Sequence, residues 1–113
     1  MLGGRSMGGR VCSMAVAGRL VASGLVLISY PLHPPGRPDR RRDEHFGEIT
    51  APCLFVSGTR DAFASPAELE SASAAIPTAV THRWVEGKDH GLRGADEAVA
   101  AWVVEWLVAT FTR

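Results

Sequence analysis

Cysteine is scarce in this sequence, since only Cys12 and Cys53 occur among its 113 residues. A small disulfide-stabilised secreted domain normally carries roughly four or more cysteines, and a zinc site needs further ligands at close spacing. Both cysteines have apolar neighbours, which predicts buried thiols in a reducing compartment. The first ten residues are rich in glycine and arginine, and Arg19 interrupts the apolar stretch that follows, so no secretory signal is predicted. We therefore expect a cytoplasmic protein.

Excess charge of one sign and long apolar runs are also absent. Lys and Arg number 12 and Asp and Glu number 12, so a formal net charge of zero provides no field to attract nucleic acid or an anionic bilayer. No uninterrupted run approaches the roughly 20 apolar residues of a membrane helix. The hydrophobic fraction of 46% excludes an intrinsically disordered chain. We expect one globular domain that binds neither nucleic acid nor membrane.

Short apolar runs are present and alternate with segments of helix length. Residues 24–30 and 52–58 form continuous apolar runs, which are typical of strands buried on both faces of a parallel sheet. Residues 81–86 form a weaker third strand, supported by aromatic and β-branched side chains. Between the first two runs, residues 31–44 combine proline with charges of both signs, which favours a solvated loop over a phosphate-binding patch.

Two helices follow from capping and periodicity. Ser65 and Pro66 form a helix start with acids in the first turn, and this helix is predicted to run to Pro77. A terminal helix over residues 95–110 carries one apolar stripe, which we interpret as core packing without a functional role. The alternation of elements predicts an α/β fold with about three parallel strands and flanking helices. The stripe consists of Val99, Trp102, Val103, Trp106 and Leu107.

A Gly-x-Ser-x-Gly pattern lies near the N-terminus, with Gly4, Ser6 and Gly8 in its fixed positions. Its chemistry requires a serine on a sharp turn from strand to helix, where close packing leaves no room for a Cβ atom on the glycines. The helix N-terminus then favours a developing oxyanion beside the hydroxyl. A flexible glycine-rich loop remains the alternative, while a phosphate loop fits worse because its Lys-Ser/Thr ending is absent.

Two further residues support a catalytic interpretation of the Gly-x-Ser-x-Gly pattern. Asp61 comes soon after the second predicted strand and His90 soon after the third, so both are expected at the carboxyl edge of the sheet, where α/β proteins place ligands and catalytic groups. Serine, aspartate and histidine in that order form the catalytic triad of hydrolases built on such a turn. Asp89 is a weaker candidate than Asp61, because a residue adjacent to a histidine rarely reaches its ring nitrogen.

The chain resembles the C-terminal half of an α/β-hydrolase, similar to the dienelactone-hydrolase-like enzymes and, within them, to the testis-expressed, KANSL3-like hydrolase branch. Four segments carry the resemblance: Gly-Gly-Arg-Ser-Met-Gly at 3–8, Tyr-Pro-Leu-His at 30–33, Arg-Asp-Glu-His at 42–45 and Leu-Phe-Val-Ser-Gly-Thr-Arg-Asp at 54–61. The resemblance implies that Ser6 is the nucleophile, His90 the general base and Asp61 the residue that orients it.

The implied activity is hydrolysis of a small ester or thioester. The backbone N–H of Met7 would supply one oxyanion donor, and no metal or organic cofactor is implied because the triad provides its own nucleophile and base. His33, His45 and His82 are expected to be packed or solvent-facing, although a place for His33 at the substrate entrance stays open.

One feature departs from the family pattern, because only Met1, Leu2 and Gly3 precede the serine motif. We expect the strand before the motif, and the loop that supplies the second oxyanion donor, to be missing. Residues 1–113 would then be a partial domain, an N-terminally truncated record of a full hydrolase. The strand at 24–30 would be an open edge suited to self-association. A non-catalytic interaction module, a half-domain that pairs with another chain and a nucleotide-binding half-domain stay open as alternatives.

Overall fold

The computed structural model describes residues 1–112 and contains a four-stranded parallel sheet with strand order β1-β2-β3-β4. The α/β class with flanking helices is confirmed, and the sheet has four strands where the sequence predicted about three. The strands are β1 (Leu2–Arg5), β2 (Leu25–Ile28), β3 (Cys53–Gly58) and β4 (Val80–Val85). The helices are α1 (Met7–Ala17), α2 (Pro66–Ser73), α3 (Asp96–Phe111) and a short 3-10 helix at Phe46–Glu48.

The additional strand is β1, which the sequence analysis expected to be missing. The amides of Leu2 and Ser6 donate hydrogen bonds to the carbonyls of Gly24 and Ile28 at 2.9 and 2.7 Å. Glycine has low strand propensity, but pairing with a neighbouring buried strand overrides propensity in a segment this short. The expectation of an open edge at residues 24–30 was therefore wrong, because β2 lies between β1 and β3. Among residues 1–112, β1 is the outermost strand at this end of the sheet.

The prediction for α2 agrees with the structure at the start of the helix and differs at its end. The Ser65 hydroxyl accepts from the Glu68 amide and the Glu68 carboxylate accepts from the Ser65 amide, so the predicted start of α2 is confirmed as a capping box. The helix ends at Ser73 and not at Pro77. The amides of Ala75 and Ile76 bond to carbonyls three residues back, and Ile76 precedes Pro77, where the helical region is disfavoured.

The core lies on both faces of the sheet. Leu25, Leu27 and Phe55 point to the face that carries α1, α2 and the 3-10 helix, whereas Val26 and Leu54 point to the face that carries α3. Every residue of β3 is buried, which agrees with its continuous apolar sequence. The predicted stripe of α3 packs on its face of the sheet, with Val99 and Trp106 buried and the other three members half-buried.

The loop between β2 and β3 is mostly a surface excursion, as predicted. Residues 35–41 are exposed, and Arg37 and Arg41 pair with Asp39 and Asp43 two residues further on. Residues 31–33, at the start of this loop, are buried. Among residues 1–112, no helix has the length and apolar character needed to cross a bilayer.

The two cysteines are free thiols in different environments. Cys53 is fully buried, and burial raises the pKa of its thiol to about 12. Cys12 is only half-buried, against the sequence prediction, and its thiol donates to the Gly3 carbonyl at 3.5 Å.

Candidate active site

Ser6 occupies the single-residue turn between β1 and α1. Its backbone has φ 53° and ψ −122°, a region that non-glycine residues rarely adopt. The hydrogen bond from its amide to the Ile28 carbonyl holds this conformation at the carboxyl edge of the sheet. Residues 3–9 therefore form a strand, a sharp turn and a helix, and the alternative of a flexible glycine-rich loop was wrong.

The glycines around Ser6 allow β1 and α1 to approach each other closely. A Cβ atom on Gly4 would lie 2.4 Å from the carbonyl carbon of Gly8, and one on Gly9 would lie 3.0 Å from the Gly4 carbonyl oxygen. A Cβ on Gly8 would meet nothing within 4 Å. The steric requirement predicted for Gly4 is confirmed, whereas the one predicted for Gly8 was wrong, since Gly8 contributes only its backbone to the close contact.

The structure brings together the three residues that the sequence singled out. The Ser6 Oγ atom lies 2.7 Å from His90 Nε2. On the other side of the ring, His90 Nδ1 lies 2.9 Å from Asp61 Oδ2 and 3.1 Å from Oδ1. These contacts link residues 84 and 29 positions apart in the chain. Such an arrangement can transfer the serine proton to the imidazole while the carboxylate holds the ring.

Asp61 is held rigidly in the loop after β3. Its side chain is fully shielded from solvent, and Oδ1 also accepts a hydrogen bond from the Phe63 amide at 2.8 Å. The Phe63 ring packs against the His90 imidazole with a centroid distance of 4.1 Å. Sequence analysis did not identify Phe63, because its contact with His90 joins residues that only the folded chain brings together.

The loop that carries His90 is fastened to the ends of the neighbouring strands. Ser29, directly after β2, is buried and donates from its hydroxyl to the His90 carbonyl at 2.8 Å. Its φ of 53° is a second positive value for a non-glycine residue at this edge of the sheet. Arg5 donates to the Gly91 carbonyl at 2.7 Å. Ser29 was also missed, since a serine at the end of a strand has no distinctive sequence pattern.

Gly58 provides the space for this loop. A Cβ atom there would lie 2.1 Å from the Lys88 carbonyl oxygen, and that same carbonyl accepts from the Arg60 amide at 2.9 Å. The end of β3 and the loop after β4 are thus in direct backbone contact. This contact sets the separation between Asp61 and His90.

Met7 begins α1, directly after Ser6. The first amides of a helix have no intrahelical acceptor, and the helix dipole makes this end favourable for negative charge. The Met7 amide lies at this end of the helix, directly after Ser6, and its role as an oxyanion donor stays a prediction.

The alternative candidates lie elsewhere. Asp89 Oδ1 accepts from the Gly91 amide at 3.1 Å and makes no contact with the His90 ring. His33 is buried, and its Nε2 lies 2.9 Å from Glu68 Oε1. Burial lowers the pKa of His33, but its hydrogen bonds to Glu68 and to the Pro34 carbonyl raise it by more, so the net pKa is above 6.5. His33 lines a separate cavity of about 330 Å³, which does not include His90.

The other two histidines are packed, as expected. His45 Nε2 lies 2.8 Å from Ser13 Oγ, and burial lowers the His45 pKa below 6.5. His82 stacks between Phe55 and Trp84 at 5.2 and 5.1 Å, and burial also lowers its pKa. Within the described part of the chain, no three His, Cys, Asp or Glu side chains form a group that could hold a metal ion.

Comparison with protein families gives a match over residues 1–103 to the model described as an alpha/beta hydrolase domain. The structure is similar to that of an alpha-beta serine hydrolase homologue from Coxiella burnetii, with 19% identity, a TM-score of 0.75 and coverage of 94% of this chain and 48% of the other. It is also similar to an esterase from Pyrococcus furiosus, with 14% identity, a TM-score of 0.77 and coverage of 97% and 53%.

A monoacylglycerol lipase from Paleococcus ferrophilus has 17% identity, a TM-score of 0.81 and coverage of 96% of this chain and 68% of the other. At these identities the similarity is one of fold. The chain spans about half the length of the first two structures, at 48% and 53%.

Proposed function

Because this chain belongs to the family of alpha/beta hydrolase domains, we propose that it is a serine hydrolase that cleaves carboxylic esters or thioesters. The observation that carries the proposal is the continuous contact from Ser6 Oγ to His90 Nε2 at 2.7 Å and from His90 Nδ1 to Asp61 at 2.9 Å. The similar structures described as an esterase and a monoacylglycerol lipase support the ester class. The motif at residues 54–61 supports membership of the dienelactone-hydrolase-like branch.

In the acylation step, the Ser6 Oγ atom attacks the carbonyl carbon of the ester, and His90 Nε2 takes the hydroxyl proton. The carbonyl oxygen becomes an oxyanion, which the Met7 N–H stabilises at the N-terminus of α1. When the tetrahedral intermediate collapses, the bond to the leaving alcohol or thiol breaks and His90 returns the proton to that leaving group. Ser6 is left as an acyl ester.

In the second step, water attacks the acyl carbon while His90 accepts one of its protons. Collapse releases the carboxylic acid and restores the Ser6 hydroxyl. Throughout, the Asp61 carboxylate accepts a hydrogen bond from the Nδ1–H of His90, which selects the tautomer with a free Nε2 and stabilises the imidazolium. Because Asp61 is buried and hydrogen-bonded by the Phe63 amide, its orientation is fixed before substrate binds.

The direct test is Ser6→Ala, measured with p-nitrophenyl esters and with a fluorophosphonate that labels activated serines. Turnover should fall on the order of 10⁶-fold, as for other triad serines, and labelling should disappear while the circular dichroism spectrum stays unchanged. Undiminished turnover in Ser6→Ala, or a wild-type chain that neither hydrolyses an ester nor reacts with the probe, would contradict the proposal.

Two neighbouring aspartates provide a matched control. Asp61→Asn is expected to lower kcat roughly 10⁴-fold, because the neutral amide no longer selects the reactive tautomer. Asp89→Asn should have little effect, since Asp89 contacts the Gly91 amide and not the imidazole. Equal losses in the two variants would show that Asp61 has no special role.

A second candidate function is a non-catalytic interaction module. The observation that favours it is that β1 is the outermost strand among the described residues, together with an exposed apolar face on α1 formed by Met7, Val11 and Met14. Under this alternative, the chain would form a stable complex whose strength is the same in wild type and Ser6→Ala. Loss of that complex on acylation of Ser6 would argue against it.

A further inference from the structure

We infer that the substrate of this site carries a carboxylate or phosphate group close to the scissile ester bond. The inference deepens the proposed function, since it concerns the substrate class of the same site. It starts from the open cavity of about 980 Å³ that His90 lines. Three arginines, Arg5, Arg60 and Arg93, line this cavity as well.

A fourth cation stands at the margin of the cavity. Lys88 lines an adjoining cavity that shares Arg60 and Arg93 with the first. Its Nζ atom lies over Gly94, within 3.8 Å of where a Cβ atom on that glycine would be. A chain whose formal net charge is zero thus places three arginines in the lining of the cavity that includes His90, and a lysine in the cavity beside it.

These cations are not neutralised by the protein. Arg37, Arg41 and Arg83, elsewhere on the surface, each pair with a carboxylate. Among residues 1–112, none of the four cations at the cavity has a carboxylate within ion-pair distance. Arginines that lie near a reacting group and have no carboxylate partner are suited to bind an anionic group of the ligand.

Two aspartates line the same cavity. Asp89 accepts from the Gly91 amide at 3.1 Å, and Asp96 is the first residue of α3, where the helix dipole stabilises a carboxylate. The cavity lining therefore holds three positive and two negative side chains, and Lys88 adds a further positive charge at its margin. The balance is positive, and one of the two acids, Asp89, already accepts from a backbone amide.

Arg5 indicates that the inferred anion site lies close to Ser6. It directly precedes Ser6 in the chain, and its guanidinium is held beside the His90 loop by the 2.7 Å hydrogen bond to the Gly91 carbonyl. That bond uses one of five N–H donors, so the remaining donors are free for a planar oxyanion. His90, the neighbour of Gly91 in this loop, contacts Ser6 Oγ at 2.7 Å, so the inferred anion site adjoins the reacting serine. The anion and the ester thus belong to one small molecule.

The experiment compares two p-nitrophenyl esters of equal chain length, the hexanoate and the monoester of adipic acid, which differ in a terminal carboxylate. The wild-type chain is expected to hydrolyse the adipate ester with a kcat/KM about tenfold higher, a preference of about 1.4 kcal/mol. High salt should reduce this preference, because exposed charges are screened. The double variant Arg60→Gln, Arg93→Gln should lose the preference, because its kcat/KM is expected to fall about tenfold further for the adipate ester than for the hexanoate.

The matched control is Arg37→Gln, which removes the same charge from the distant loop between β2 and β3 and should keep the preference. A wild-type chain that prefers the hexanoate, or a double variant that loses activity on both esters equally, would overturn the inference.

If neither ester is hydrolysed, the proposed function fails, and adipate binding followed by NMR chemical shifts decides the inference alone. Shifts confined to Arg5, Arg60 and Arg93 would then support it, and their absence would contradict it. Inorganic phosphate as competitor distinguishes a phosphate-preferring site from a carboxylate-preferring one.

Discussion

At the scale of single residues, the candidate site depends on two close backbone approaches. Gly4 lies against the backbone of Gly8, and Gly58 lies against the Lys88 carbonyl. The first approach fixes where Ser6 leaves the sheet, and the second fixes the loop that carries His90. Backbone atoms cannot move aside as a flexible side chain can, so a methyl group at either position displaces a whole segment.

Gly4→Ala and Gly8→Ala are expected to have opposite effects. The alanine at position 4 would meet backbone at 2.4 Å, so the free energy of unfolding should fall by about 3 kcal/mol or more. The alanine at position 8 meets nothing within 4 Å and improves helix propensity, so the stability should stay equal or rise by up to about 1 kcal/mol. Urea unfolding followed by circular dichroism measures both.

The variants Gly4→Ala and Gly8→Ala also test the geometry of the turn at Ser6 independently of activity. Equal stability losses in the two variants would mean that the contact of Gly4 with α1 does not exist in solution. An active Gly8→Ala variant would further show that the second glycine of the motif is not sterically required in this chain.

At the scale of secondary structure, the elements with strong internal signals were predictable. β3 is apolar at almost every position, and α2 begins with a serine, a proline and a glutamate in capping positions, so local sequence determines both. β1 was not predictable, because half of its residues are glycine and its stability comes from pairing with β2. Sequence order suggested Asp61 and His90, whereas Ser29 and Phe63 act through contacts that only the folded chain creates.

The loop after β2 is joined to α2 by His33 and Glu68, and this contact is expected to depend on pH. The pKa of His33 is raised above 6.5, so its contribution to stability is fully present below that value and is lost as pH rises through the folded-state pKa. The pKa of Glu68 is lowered below 4.5 by its hydrogen bond to His33, so its contribution is lost as pH falls through the folded-state value. The pair therefore stabilises the fold most between 4.5 and 6.5.

Glu68→Gln should remove this dependence. The stability difference between wild type and variant is expected to be about 1 kcal/mol or less near pH 5.5, because Glu68 is partly exposed, and to shrink as the pH rises. Urea unfolding across that range measures it, with Glu86→Gln as the control that removes an exposed carboxylate elsewhere. The pKa values of His45 and His82 are lowered, so their effect on stability has the opposite pH dependence. Both histidines are present in the wild type and in the two variants, so this effect cancels in the comparison. A difference that grows with pH would contradict the assignment.

At the scale of the whole molecule, the structure has two unlike sides. β3 is covered on both faces and flanked by strands on both edges, whereas β1 is paired on one edge only within the described residues 1–112. α1 packs over β1 and β2, and its outward face exposes Met7, Val11 and Met14 at 50%, 58% and 47%. A formal net charge of zero gives little repulsion between copies. We propose that two copies associate through this side, pairing their β1 edges around a two-fold axis.

Val11→Lys should weaken this association, because it places a charge in the middle of the exposed stripe of α1. Light scattering after size-exclusion chromatography is expected to show a dimer for the wild type and a monomer for the variant at the same concentration. Val104→Lys is the matched control, since Val104 is exposed to a similar extent, at 59%, on α3 at the opposite face of the sheet. A monomeric wild type would contradict the proposal, as would an equal effect of the two lysines, because a charge on α3 does not touch the side of the molecule that β1 leaves open.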